Sequence, residues 1–571
     1  MIHSAAYSSS SNGRLRPLLH KRYQTTEQKP WGRLGFAFAS LLFIFLGIAS
    51  RLAWVMVWTP SAHNVPSNFG NAIARADIVD RNGEILATNL ITFSMFANAA
   101  EILDPKDTAH KLSLIFPDMK EEELYKKFKS RKSFIWLKRN LTPTQQQEIN
   151  SLGLVGIEFK KEQKRVYPHG ATSSHILGYA NIDNKGLAGI ERAYDHVLTS
   201  QKEPLRLSLD LRVQHILRDE IKSGIKEFNA KAGNGVLMNI HTGEIVAMAS
   251  LPDFDPHHFN PKKDDIFNAN TSGIYEFGSI FKIFTFAMAL DSKKVSLKDN
   301  FDASHPIMIG KHKIGDYQAK NRWLSVPEVF MYSSNIGTVK MALKVGPKGQ
   351  KSFFEKLGFL KPLKTDLKEN GIPMAPREWK EINTATVSYG YGLAVSPLQL
   401  VNGLASIING GLLRSPTLIA DKNKDREPVQ IISSATSETM RRLMHLVVKH
   451  GSGKQADVPG YIVGGKTGSA NKKSSNGKGY VAKNKHRASF VFAFPMTNPQ
   501  YIGLITLDEP QGNSSTMGFS TGGWTAAPVA RRVIEKAAPL LDVFPVDESA
   551  PNIQMAMRVP LQNHEIQRAT R

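Results

Sequence analysis

The spacing of hydrophobic and polar positions changes along the chain in a way that divides it. From 34 to 58 (LGFAFASLLFIFLGIASRLAWVMVW) apolar residues run on with Arg51 as the sole charge, and at the helical rise this length crosses a hydrocarbon core. The run shows no polar face, so it reads as a membrane span and not as a core helix. The next stretch, 59 to 72 (TPSAHNVPSNFGNA), is rich in Pro, Ser and Asn and reads as a linker. Ala76 to Ala87 reads as two short strands around an Asn82-Gly83 turn, and the charged segment 100 to 165 contains a helical stretch at 119 to 129.

Near residue 203 the character changes. Leu205 to Leu211 alternates as a strand does, and 212 to 228 places Val213, Ile216, Leu217, Ile221 and Ile225 at helical spacing. The segment 235 to 251 (GVLMNIHTGEIVAMASL) reads as a hairpin around His241-Thr242-Gly243. Two more strands follow at 488 to 495 and 501 to 508, then an alanine-rich helix at 525 to 539. Strands at both ends of a long helical middle predict an α/β domain whose sheet is assembled from both ends of the segment. From about 545 the chain is polar and reads as loose.

Composition narrows the classes. With 571 residues, 41% hydrophobic and 22% charged, the chain is neither disordered, collagenous nor many-spanning, and it is long enough for two or more domains. The absence of cysteine excludes disulfides, thiolate nucleophiles, iron–sulfur clusters and Cys-ligated zinc. Lys and Arg number 73 against 50 Asp and Glu, and the net charge of +23 favours anionic partners. Arg14, Arg16, Lys21, Arg22, Lys29 and Arg33 face Glu27 alone, so the positive-inside rule keeps 1 to 33 in the cytoplasm and places the bulk of the chain outside. That topology disfavours nucleic acid and fits an anionic envelope polymer. Gly47-Ile48-Ala49 would suit cleavage of a signal peptide, but the long basic region and the apolar residues beyond argue for a retained anchor, with Trp54 and Trp58 at the interface.

Candidate chemistry begins with a decoy. Gly460 to Thr467 satisfies the phosphate-loop formula GxxxxGK[ST], yet Val458-Pro459 precedes it and the polar, Gly-rich 468 to 479 follows, which is not the required strand and helix. Lys466 belongs to a better constellation. Ser-x-x-Lys puts a hydroxyl and an amine on one helix face, so that a neutral lysine can remove the serine proton. The pattern occurs at Ser223, Ser279, Ser469 and Ser475, but only at Ser279 does a turn (275 to 278) precede an apolar helix (281 to 290). A lysine buried there, near another cation, has a lowered pKa and becomes a usable base, while the serine N–H at the helix start is free to stabilise an oxyanion. Ser333-Ser334-Asn335 and Lys466-Thr467-Gly468 follow in order.

In order and spacing this triple resembles the penicillin-recognising serine enzymes. Together with ADIVDRNGEILA, GLAGIERAYDHVL (186 to 198), LSLDLRVQ, GEIVAMASLPDFDP, the Tyr389-to-Leu400 segment and Gly522 to Val529, it is similar to the class B penicillin-binding proteins over essentially the whole exported length. The Tyr-Gly-Tyr-Gly form and the size resemble the cell-division type, penicillin-binding protein 3. The resemblance implies an α+β, multidomain chain. It would comprise a cytoplasmic tail (1–33), a transmembrane helix (34–58), a non-catalytic pedestal (59–228), a transpeptidase domain with an antiparallel sheet flanked by helices (229–545), and a C-terminal tail (546–571).

The implied function is cross-linking of peptidoglycan stem peptides during septal wall synthesis, without a cofactor or metal. Ser279 would be the acylated nucleophile, Lys282 its base, Ser333 a proton relay, Asn335 a contact to the donor peptide and to Lys282, and Lys466 a local positive charge. Thr467, Gly468 and Ser469 would bind substrate, and the Ser279 and Ser469 N–H groups would form the oxyanion hole. The implied ligands are D-Ala-D-Ala stems and β-lactams. The implied partners are a glycosyltransferase and divisome membrane proteins, with no nucleic acid, and the implied place is the inner membrane, with a single span and the catalytic domain periplasmic. Phe277 and Ile283 stand where the family often has proline, which bears on the turn geometry and not on a reacting atom. The competing readings are an elongation-type enzyme, a β-lactamase or carboxypeptidase, and a β-lactam-binding division scaffold without turnover. His257-His258 and the run Lys472, Lys473, Lys478, Lys483, Lys485, His486 and Arg487 read as solvated surface.

Overall fold

A computed structural model describes residues 31–58, 75–258, 260, 266–472 and 485–559. The chain divides into two units, Met1–Ala72 and Ile73–Arg571. In the first, the apolar run forms the helix Trp31–Trp58, and its segment Gly35–Trp54 is long and apolar enough to cross a membrane. The linker and the basic tail lie outside the described residues.

The second unit begins with a small sheet. Ile78–Val79 and Ile85–Ala97 flank the Asn82-Gly83 turn, whose Asp80 carboxylate accepts from the N–H groups of Asn82, Glu84 and Leu211. The second strand is far longer than the sequence pattern indicates, because it pairs with both Ile135–Leu141 and Ile157–Val166. Those partners are polar on one face and could not be recognised by alternation alone. Helices Pro105–Ile115, Glu121–Lys129 and Pro143–Ser151 close a small core around Met95, Leu112, Leu124 and Phe128. Glu191, fully buried, bonds Arg75 (2.5 Å) and Arg165 (2.7 Å), and Arg75 also reaches Asp195 (2.7 Å), so the segment 186–198 is tied to the first described residue of the second unit.

The second five-stranded sheet has the order Gly464–Asn471, His486–Phe494, Tyr501–Asp508, Ala232–Asn239, Ile245–Leu251, and every pairing is antiparallel. The sheet is indeed built from both ends of the domain, with Tyr501 opposite Asn239, but it is not the α/β arrangement that the element order alone predicts. Alternation divides each strand between two cores: Phe490, Phe492 and Phe494 pack with the helices Leu211–Glu227 and Ala526–Ala537, whereas Val491 and Ala493 face Lys282–Asp291, Pro397–Ile408 and Ser434–His450. Burial on both faces is why the strands read as apolar runs.

Two local readings are corrected. Only Leu205–Arg206 of the 205–211 segment is strand, because Ser208 is drawn out by bonds from its N–H to Leu418 O and from its hydroxyl to Ile245 O. The C-terminal stretch is anchored as far as Val559: Ile553, Met557 and Val559 pack on the core, Arg442 Nε donates to Ala556 O (2.9 Å), and Glu548 accepts from Lys449 (2.7 Å).

Candidate active site

The sequence FKIFTFAMAL is apolar on all sides, and the helix Lys282–Asp291 is accordingly buried from Lys282 to Ala289. Ser279 precedes it on the 3-10 turn Gly278–Phe281, half-buried, and among the described residues its hydroxyl has no hydrogen-bond partner. The turn is held from two sides. A Cβ on Gly468 would come within 2.4 Å of Phe277 O, so a glycine is needed where the strand Gly464–Asn471 touches the turn. On the other side Gly278 N donates to Gly390 O (3.3 Å), Thr285 Oγ1 donates to Ser388 O (2.8 Å), and Gly392 N donates to Glu276 (2.8 Å). Gly390 itself has φ +91°, and a Cβ there would lie 2.0 Å from Gly278 O. The Tyr-Gly-Tyr-Gly segment is thus a strap under the turn.

Two of the remaining expected residues, Lys282 and Lys466, meet at the hydroxyl of a third, Ser333, and Asn335 joins them through Lys282. Lys282 Nζ donates to Ser333 O (2.5 Å), Ser333 Oγ (3.1 Å) and Asn335 Oδ1 (2.7 Å), and Lys466 Nζ donates to the same Ser333 Oγ (2.9 Å). Both lysines are fully buried. Ser333 sits between the helices Val326–Met331 and Asn335–Lys356 with φ +58°, a left-handed conformation costly for a residue with a Cβ and maintained only by its surroundings. The helix that begins with Asn335 is capped by Ser334, whose hydroxyl accepts from Gly337 N.

Two ammonium groups cannot share one small buried hydroxyl at full charge. Burial, then the charge of Lys466, pushes the Lys282 pKa well below the usual amine value, and Asp316 opposes the shift. Burial alone brings Lys466 to about 7. The neutral form of Lys282 is therefore accessible near neutrality, which is what a base requires.

The strand Gly464–Asn471 lies at the edge of the sheet among the described residues, the position at which an extended peptide can add as a further strand. It is a strand, and Lys466 is buried in it, which removes the phosphate-loop reading on geometry. Thr467 Oγ1 lies 2.8 Å from Ser452 Oγ, and Ser469 Oγ accepts from Gly522 N (3.2 Å) while its own O–H remains available. No hydrogen bond joins Lys282 to Ser279.

Three residues escape sequence reasoning. Asp316 accepts from Ser334 Oγ (2.7 Å) and Ile336 N (3.0 Å), fixing the start of the Asn335 helix. Ser452 and Thr285 act through partners 15 and 103 residues away, and no local pattern marks them. Among the residues read as surface, His257 accepts from Tyr167 N (3.0 Å) and is a packing residue, while His258 is exposed. Lys472 pairs with Asp508 and Glu509, Arg487 lies 4.0 Å over the Tyr275 ring, and His486 bonds Ser520 O. Lys473, Lys478 and Lys483 lie outside the described residues.

The chain matches two family models: the penicillin binding protein transpeptidase domain over 233–535 and the penicillin-binding protein dimerisation domain over 71–222. It is 38% identical over 515 residues to the probable peptidoglycan D,D-transpeptidase FtsI of Caulobacter vibrioides, covering 88% of this chain and 87% of that one. To the peptidoglycan D,D-transpeptidase FtsI of Escherichia coli K12 it is 26% identical, over 88% of this chain and 91% of that one. The crystal structure of penicillin-binding protein 3 from Mycobacterium tuberculosis, complexed with aztreonam, superposes with a TM-score of 0.65 at 22% identity, covering 83% of this chain and 97% of that one, which establishes a shared fold. On the family matches and the identity to its relatives, the chain belongs to the class B penicillin-binding proteins, of the FtsI type.

Proposed function

We propose that the protein is a serine D,D-transpeptidase that cross-links peptidoglycan stem peptides at the division septum and is acylated by β-lactams. The observation that carries this reading is the bonding of two buried lysines to the Ser333 hydroxyl, beside an unpartnered Ser279 and an edge strand. Ser279 Oγ attacks the penultimate D-Ala carbonyl of a donor stem while its proton passes to neutral Lys282 Nζ. The N–H groups of Ser279 and Ser469 take the oxyanion. As the intermediate collapses, the C–N bond to the terminal D-Ala breaks and the proton reaches the leaving nitrogen through Ser333 Oγ, the atom common to both lysines. An amine of a second stem then attacks the acyl carbon, its proton returns by the same route, and the Ser279 hydroxyl is restored.

Asn335 orients Lys282 and offers its amide to the donor. Lys466 keeps the local potential positive, and Thr467, Gly468 and Ser469, joined by Ser452, form a hydroxyl-lined seat for the terminal carboxylate. The apolar helix anchors the chain by one span, with the basic tail cytoplasmic and the catalytic domain on the outer side of the membrane. Glycan polymerisation falls to a separate glycosyltransferase, met together with other division proteins through the span and pedestal.

The test is labelling of the full chain in detergent with a fluorescent penicillin. A stable label that is lost in Ser279→Ala supports the reading. Rapid spontaneous loss of label from the native chain would mean hydrolysis, and absence of label from a folded chain would leave only a scaffold.

A further inference from the structure

Beside the Ser333–Asn335 corner stands a surface with a charge of its own. The hairpin Ile307–Ile309 and His312–Ile314 is nailed down by Ile309 and Ile314, which pack on Val339 and Ala385 of the helices Asn335–Lys356 and Glu381–Ser388. Ile307 packs on the same cluster, while Met308, Lys311, His312 and Lys313 are exposed. The chain then runs back to the catalytic residues. Gly315 O accepts from Asn335 Nδ2 (2.9 Å), and Asp316 holds Ser334 and Ile336. Tyr317 projects with 83% of its surface exposed, Lys320 lies 4.6 Å over the ring of Tyr332, next to Ser333, and Trp323 is 62% exposed.

The charges on this surface do not cancel. Among the described residues, Lys311, Lys313 and Lys320 have no carboxylate within ion-pair distance. Arg322 is matched by Glu328, and the one acid of the segment 311–323, Asp316, is turned inward on the Asn335 helix. Uncompensated ammonium groups interleaved with an exposed tyrosine and tryptophan make a surface for a ligand that carries carboxylates and offers faces for aromatic stacking. Its link through Gly315 and Asp316 to Ser334, Asn335 and Ile336 sets it beside the residues that surround Lys282.

We propose that the hairpin 305–323 is a docking surface for the peptidoglycan strand itself, with Lys311, Lys313 and Lys320 binding stem-peptide carboxylates and Tyr317 and Trp323 lying against sugar rings. The proposal rests on the transpeptidase reading, since it names the polymer that this site would cross-link. It gives the strand a hold outside the cleft, so that a stem is delivered to Ser279 at high local concentration.

The experiment is co-sedimentation of the full chain, in detergent, with insoluble peptidoglycan sacculi and with sacculi whose carboxylates have been converted to amides, at low and high salt. The native chain should bind untreated sacculi and lose most of that binding on amidated sacculi or at high salt. The triple variant K311Q/K313Q/K320Q should bind about tenfold more weakly, as loss of three exposed ion pairs implies, while Ser279 is still acylated by fluorescent penicillin at the native rate. A control triple on the pedestal, K126Q/K127Q/K129Q, should bind as the native chain does. Equal binding by the hairpin triple and the native chain overturns the proposal, as does equal binding of the native chain to amidated sacculi, which requires no substitution. Equal weakening by the pedestal triple also overturns it, because general surface charge would then be the cause. Failure of the transpeptidase reading shows separately, as loss of acylation in the native chain.

Discussion

Replacing Lys466 by methionine should make the protein more stable and inactive at once. Lys466 is fully buried, and burial brings its pKa from 10.5 to about 7. A group whose folded pKa lies below its unfolded value opposes folding wherever the unfolded chain binds a proton that the folded chain does not. The penalty is full below pH 7, declines as pH rises, and is gone above 10.5. At 1.36 kcal/mol per pH unit it amounts to roughly 4 kcal/mol at pH 7 and about 1 kcal/mol at pH 10. Methionine fills the volume of the lysine stem, so little cavity is created, and the lost bond to Ser333 Oγ subtracts about 1 kcal/mol. A net gain of roughly 2–3 kcal/mol at pH 7 should raise Tm by about 5 °C. The assay is thermal unfolding of native and variant chains in parallel at pH 7 and pH 10, with penicillin acylation measured on the same samples. A variant that melts at or below the native temperature at pH 7, or a gap that does not narrow at pH 10, would refute the argument that burial holds this amine near neutrality.

Other substitutions read other parts of the site. Asp316→Asn removes the charge that raises the Lys282 pKa, so the acid limb of the acylation profile should move to lower pH, seen by following fluorescent penicillin uptake from pH 5 to 9. Thr285→Val leaves Ser388 O without its donor under the nucleophile turn and should cost about 1–2 kcal/mol of stability, with slower acylation in stopped-flow as the sign that the turn has loosened. Glu191→Gln leaves Arg165 buried without its carboxylate and Arg75 with Asp195 alone, and should lower stability by about 3 kcal/mol in denaturant titration without changing acylation of the folded fraction.

The parts of the fold that were legible in the sequence are those that sequence neighbours determine. The apolar run at 34–58, the hairpin at 235–251, the paired strands near 490 and 505 and the buried helix after Ser279 each carry their own periodicity. Of the long strand Ile85–Ala97 only the start, to Ala87, is visible, because the rest is defined by partners 38 to 78 residues away. The C-terminal stretch misled because Ile553, Met557 and Val559 are too few to mark a face until the helix Ser434–His450 is there to receive them. Element order shows that the sheet draws on both ends of the domain but does not distinguish antiparallel pairing from crossover connection; the antiparallel sense is legible only through the family resemblance, and the structure bears it out.

The same contrast separates the four Ser-x-x-Lys matches. Ser223 and Lys226 lie on the solvent side of the helix Leu211–Glu227, where the amine stays hydrated. Lys472, three residues after Ser469, is tied up in ion pairs with Asp508 and Glu509. Ser475 and Lys478 lie outside the described residues. Of the three matches described, only Lys282 is buried among apolar side chains with a second lysine nearby, so only there is the amine pKa lowered in the way that a base requires. What made Ser279 recognisable was therefore not the four-residue pattern but the apolar sequence after it, which requires burial of the lysine. Asp316 and Ser452 belong to the same machinery and carry no such mark, because each acts through a single bond across the fold, and a single bond leaves no periodicity to read.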